Sequence, residues 1–155
     1  MSATHPRKFL VVVDRTPECR VALRFATRRA QHTGGRVTLF CAAEPADFQQ
    51  WRGIEEIMRD EAHQEAENLV HNAARQVNEL SGILSELVIM EGRIKDGLIE
   101  LLKSDKDISI LVLASSTEKE GPGPLVTMFA TGGGHPIPVT IVPGSLSDDE
   151  IDALA

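Results

Sequence analysis

The sequence has no apolar run long enough to cross a bilayer and only two cysteines in 155 residues. The first absence leaves no candidate for a membrane-spanning helix. The N-terminus, MSATHPRKFLVVVD, carries basic residues, but its apolar run is short and ends at Asp14. It lacks the apolar core and small-residue cleavage site of a secretory signal, so the cytoplasm is the expected location. Cys19 and Cys41 are widely spaced and show no metal-like pattern, which excludes a disulfide framework. Cys41 sits in an apolar strand and reads as a small buried hydrophobe. Cys19 falls in a first helical turn, where a thiolate is favoured, but no redox partner accompanies it. There is no Gly-x-Ser-x-Gly turn, no Walker lysine motif and no clustered set of metal ligands. The missing motifs lean the reading away from an enzyme without deciding it.

The composition is that of an ordinary globule, 42% hydrophobic and 25% charged, and the length suits one domain. That domain is expected to span residues 1–155, with a core at about 7–144 and an acidic tail at 145–155. The net charge of -7 is unevenly spread. Residues 1–36 hold eight Lys or Arg against Asp14 and Glu18, a balance of +6, so the remainder carries -13. A surface of that sign argues against broad nucleic-acid binding.

Strand-like and helix-like segments alternate. KFLVVVD (8–14) is an apolar strand. Thr16 then reads as an N-cap, with Pro17 at the first helical position. Ala22, Leu23, Ala26 and Ala30 form a helical stripe that HTGG ends. RVTLFCAA (36–43) is the second strand, and residues 44–53 form a loop with the only tryptophan, Trp51. A long helix at about 54–80 keeps Met58, Ala62, Ala66, Leu69, Val70, Ala73 and Val77 on one face. Residues 84–90 give a third strand, 93–103 a short helix and 108–114 a fourth strand. A helix at 125–131 precedes TGGGHP (131–136), which leads into a strand instead of opening a helix and reads as a connector. The last strand, PVTIV, begins at Pro138 and ends at Val142. Ser147 and Glu150 form a capping box in the tail. Continuous Val/Ile/Leu strands alternating with helices predict a three-layer α/β/α fold around a mainly parallel sheet.

In such sheets ligands bind outside the carboxyl ends of strands, where the winding reverses. The polar residues there are Asp14, Glu44, Glu91, and Ser115, Ser116 and Thr117. Two other constellations read as solvated surface. His63, Glu67 and His71 share one face of the long helix, but an exposed helix closes no metal shell. Arg20, Arg24 and Arg28 form a ridge without interleaved aromatics, which can answer the acids Asp148, Asp149, Glu150 and Asp152.

The sequence resembles the universal stress protein family over roughly residues 7–144. The resemblance rests on FLVVVDRTPECRVALRFA, on ISILVLASS as strand four and on HPIPVTIVPG as the closing strand. It implies an adenine-nucleotide alpha hydrolase-like, Rossmann-like sheet of order 3-2-1-4-5, and a homodimer paired through the last strand. It also implies ATP, with magnesium, as the candidate cofactor. Asp14 would face the ribose or metal, and Ala42 and Ala43 would lie against the base. Ser115, Ser116, Thr117, Gly121 and Gly123 would line the phosphate loop.

The loop departs from the family's glycine pattern. Serine stands where its first glycine is expected, and Gly121 and Gly123 are each followed by a proline that has no amide hydrogen. Glu118 and Glu120 repel a phosphate. Asp14 can also serve as a local turn acceptor for amides near Thr16. The leading expectation is a dimeric binding or regulatory module in stress response, without the usual ATP loop. The alternatives are an ATP-binding member with an altered loop and slow hydrolysis, or a protein-interaction module with an empty cleft. No single aspartate-rich constellation supports a phosphoacceptor domain.

Overall fold

The computed structural model describes residues 6–44, 52–131 and 137–155, with residues 52–55 described by their backbone alone. The first strand, β1 (Lys8–Val12), is buried along its whole length. Successive side chains point to opposite faces, as the pleat requires. Phe9, Val11 and Val13 enter one apolar cluster, and Leu10 and Val12 enter another. A strand covered on both faces has no polar side, hence the unbroken apolar run.

The elements that follow are α1 (Cys19–Thr33), β2 (Arg36–Ala43), α2 (Arg52–Ser81), β3 (Glu86–Glu91), α3 (Ile94–Ser104), β4 (Ile108–Ser115), α4 (Pro124–Thr131), β5 (Val139–Pro143) and α5 (Asp148–Leu154). All four strand pairs are parallel, in the order β3-β2-β1-β4-β5. Helices α1 and α2 cover the face that holds Phe9, Val11 and Leu39. Helices α3 and α4 cover the face that holds Leu10 and Phe40. This is the three-layer, Rossmann-like α/β/α fold. The stripe expected on the long helix is its inner face: Ala66, Val70, Ala73 and Val77 are buried, and Ala62 and Leu69 half-buried. The winding reverses between β1 and β4, so their carboxyl ends flank the switch point.

The amino end of the sheet carries a buried charge. Lys8 is only 7% exposed. Its ammonium lies 2.5 Å from Asp105 and 2.9 Å from Glu86. Burial alone would lower its pKa, but the bonds to Asp105 and Glu86 outweigh that and raise it above the ordinary lysine value.

Most boundaries shift by one or two residues, as helix and strand ends do. The loop around Trp51 and the TGGGHP connector, with His135, fall mostly outside the described residues. The acidic tail folds into α5 and returns to α1. Ser147 caps it through the expected box, donating its amide to Glu150 at 3.1 Å and accepting the Glu150 amide at 3.2 Å. Ile151 is fully buried against α1. The arginine ridge meets the acids of α5. Arg20 pairs with Asp148, and Arg24 clasps Asp152 with two bonds of 2.8 and 2.7 Å. Arg28 adds a third bond to Asp152 at 3.0 Å. The bond from Arg24, then that from Arg28, holds the Asp152 carboxyl well below the usual range.

Candidate functional site

The chain leaves β1 through Val13, whose amide bonds to Phe40 at 2.7 Å, and reaches Asp14, half-buried at the switch point. The Asp14 carboxylate accepts the Thr16 amide at 2.9 Å and the Thr16 hydroxyl at 2.5 Å. That is the local turn anticipated for an aspartate here. It corrects the expected start of the first helix. With its hydroxyl bound to Asp14, Thr16 does not cap α1. A turn runs instead through Pro17, closed by the Cys19 amide on the Thr16 carbonyl at 3.2 Å. Glu18 becomes the N-cap, and its side chain makes no capping bond. The expectation for Cys19 is also corrected: burial pushes its thiol up to about 11, so the thiolate is disfavoured.

The second wall begins at the end of β4. Ser115 pairs in register with Pro143 of β5, and its hydroxyl reaches the Val142 carbonyl at 3.5 Å. The following loop folds onto itself. The Ser116 amide donates to the Pro122 carbonyl at 2.8 Å, and the Gly121 amide to the Glu118 carbonyl at 3.3 Å. The Ser116 hydroxyl accepts the Glu118 amide at 3.1 Å. Gly121 and Gly123 both hold positive φ, +113° and +112°, which only glycine tolerates readily. Pro124 then opens α4 at the position where a proline loses nothing.

Two spaces lie between these walls. One is a narrow cavity of about 130 Å³ beneath Asp14, walled by Val12, Ala22, Ile94, Val112 and Val126. The other is an open groove of about 920 Å³, which runs past Lys95, Ser116, Gly121 and Thr127. Thr16, Glu18, Gly123 and Pro124 border both. The groove's rim is acidic. Among the described residues, the carboxylates of Glu18, Glu118 and Glu120 have neither a hydrogen bond nor an ion pair.

A model of the universal stress protein family matches residues 5–127. The chain belongs to the universal stress protein family. No curated protein matches its sequence. Solved structures share the fold at low identity. UspA from Lactobacillus plantarum superposes with a TM-score of 0.73 at 16% identity, covering 90% of this chain and 99% of that one. A universal stress protein family member from Arabidopsis thaliana with AMP bound gives 0.62 at 18%, covering 89% and 92%. The universal stress protein from Archaeoglobus fulgidus in complex with dAMP gives 0.60 at 16%, covering 90% and 99%.

In this universal stress protein the residues singled out from sequence divide into groups. Asp14 and Gly123 line the cavity, and Ser116, Gly121 and Gly123 line the groove. Ser115 and Thr117 border neither space. Ala42 and Ala43 also lie outside both. Ala43 is buried under α1 and α2, and Ala42 packs on the opposite face. His63 stays on the α2 surface, paired with Glu67 at 3.2 Å, and His71 is exposed. Glu18, Ile94 and Lys95 are site residues that the sequence reading left out. The Thr-Pro turn after Asp14 was the available signal for Glu18, because it points the N-cap back toward the strand ends.

Proposed function

We propose that this family member is a non-enzymatic binding module whose cleft takes the adenosine part of a nucleotide and has no cradle for a polyphosphate. One observation carries this reading: the loop after β4 turns three of its amides onto its own atoms. Ser116 and Gly121 donate within the loop, Glu118 donates to Ser116, and Pro122 and Pro124 have no hydrogen to give. A phosphate cradle needs such amides directed at the ligand. With three unpaired carboxylates on the rim, the residues present do not fit the phosphate chain of a triphosphate.

The cavity supports the other half of the proposal. At about 130 Å³ it is below the roughly 300–1,000 Å³ of a drug-sized site. Its apolar walls suit the face of a flat ring that enters from the groove, where the rest of the ligand lies. The relatives crystallised with AMP and with dAMP favour adenine as that ring. Asp14, at the cavity's mouth, is the acceptor offered to a ribose hydroxyl.

Calorimetric titration with adenosine, AMP and ATP–magnesium tests the reading. Adenosine is expected to bind best and ATP–magnesium worst, with Asp14→Ala weakening adenosine about tenfold or more. Tightest binding by ATP–magnesium overturns the proposal.

A second reading rests on a different observation. β5 is an edge strand, and Ile141 on it is 41% exposed. An uncovered apolar edge invites pairing, so we propose a homodimer joined through β5. Light scattering at micromolar concentration is expected to give twice the chain mass, and Ile141→Lys to give one chain mass. If no adenine compound binds, this interaction surface becomes the leading function.

A further inference from the structure

We propose that Glu18 sets the charge selectivity of the cleft, admitting the uncharged nucleoside and turning away its phosphorylated forms. The proposal rests on the cleft reading above and names the residue that decides among its ligands. Glu18 is one of four residues that border both the inner cavity and the outer groove. Of those four it alone is ionisable. A ligand whose ring fills the cavity must therefore pass its remaining atoms beside this carboxylate.

The position of Glu18 is fixed from three sides. Its carbonyl accepts the amides of Val21 and Ala22 at 3.0 and 3.3 Å, which anchors it to the first turn of α1. The Thr16–Pro17 turn precedes it. Its Cβ also stands close against Gly144, in the turn that follows β5. The side chain itself has no hydrogen bond or ion pair among the described residues. Its charge is therefore uncompensated and available to the ligand.

The start of a helix in this fold normally attracts an anion, because its free amides and dipole point outward. Here the protein supplies an anion of its own. Glu18 takes up the favourable field of α1 and leaves a repulsive charge where a phosphate would approach. Glu118 and Glu120 lie on the opposite lip, and among the described residues Lys95 is the sole cation bordering either space. Two unit charges about 5 Å apart near a protein surface repel by enough to change affinity about tenfold even after solvent screening.

The test compares adenosine and AMP on the intact chain, in wild type, Glu18→Gln and Glu118→Gln, by calorimetry at low salt. Glutamine keeps the shape and removes the charge. Wild type is expected to bind adenosine about tenfold more tightly than AMP. Glu18→Gln is expected to bring the two within about twofold, chiefly by tightening AMP. Glu118→Gln, on the more exposed lip, is expected to move the ratio by less than half as much on a logarithmic scale. An unfolding curve that matches wild type shows that the variant is folded. Adenosine binding with an unchanged ratio in Glu18→Gln overturns the role of Glu18 and leaves the cleft reading standing. Failure of both ligands to bind any of the three proteins overturns the cleft reading and the proposal together.

Discussion

Two acidic regions of this molecule sit on opposite terms with their surroundings. On α5 two acids are answered by arginine: Asp148 meets Arg20, and Asp152 is held by Arg24 and Arg28. At the cleft mouth Glu18, Glu118 and Glu120 meet no cation among the described residues. The sequence places Asp148 and Asp152 in SDDEID and Glu118 and Glu120 in TEKEG, with Glu18 apart from them in TPECR. The difference lies in what the fold brings opposite. α1 presents its arginine ridge along one side and only Glu18 at its tip.

Lys8 is the extreme of the paired class and gives the largest expected effect. Lys8→Ala leaves Asp105 partly buried without its partner, which typically costs about 3 kcal/mol. Urea unfolding measures it. A loss below about 1 kcal/mol would show that even this ion cluster is solvated, and the contrast with the cleft would then weaken.

The α5 pairing is more exposed, and its effect is smaller and conditional. The Asp152 carboxyl titrates well below its ordinary value of 3.8 because Arg24 and Arg28 favour its charged form. A depressed carboxylate contributes its full stability above the unfolded pKa and loses it as pH falls toward the folded one. Wild type should therefore be more stable than Asp152→Asn by a constant margin from pH 7 to 5. That margin should close as the pH drops below about 4. Unfolding midpoints across this range, repeated in 1 M salt, check the sign and the screening. A margin that does not change with pH would move the contribution from charge to packing.

The smallest effect sharpens the contrast most. Glu18→Gln removes a charge that has no partner among the described residues and interacts only with the field of the α1 start, so stability should fall by less than about 1 kcal/mol. A larger loss would show that Glu18 supports α1, and the cleft mouth would then belong to the paired class.

The fold was legible because its information is local. Continuous apolar strands, a stripe held over many turns of α2 and the punctuation of HTGG and Ser81-Gly82 each report on their own neighbourhood. The arginine ridge and the Ser147 box were legible for the same reason. The site was only half legible. Asp14 announces itself by ending a buried strand. Glu18 gains its meaning from Gly123 and Pro124, a hundred residues away, and from a turn that shifts the helix start by two residues. The misreading of Cys19 has the same origin: the first-turn position was visible, but the burial that raises its pKa was not. The loop amides were the reverse case. The prolines could be counted in the sequence, while the bond from Ser116 to Pro122 needed the folded loop.

Gly144 links these regions in one place. A side chain there would run into the Ser115 carbonyl and the Cβ of Glu18. Because the main obstacle is backbone, no neighbouring side chain can swing aside to make room. The position can therefore accept no drift by itself: alanine at 144 displaces the root of the loop and the tip of α1 at once. Glu118 and Glu120, on the groove's rim and exposed, have no such obstacle and are free to vary. Over many generations the rim would then change its lettering at the loop while its hinge stayed fixed, so related chains could exchange ligands without rebuilding the joint that holds the last helix in place.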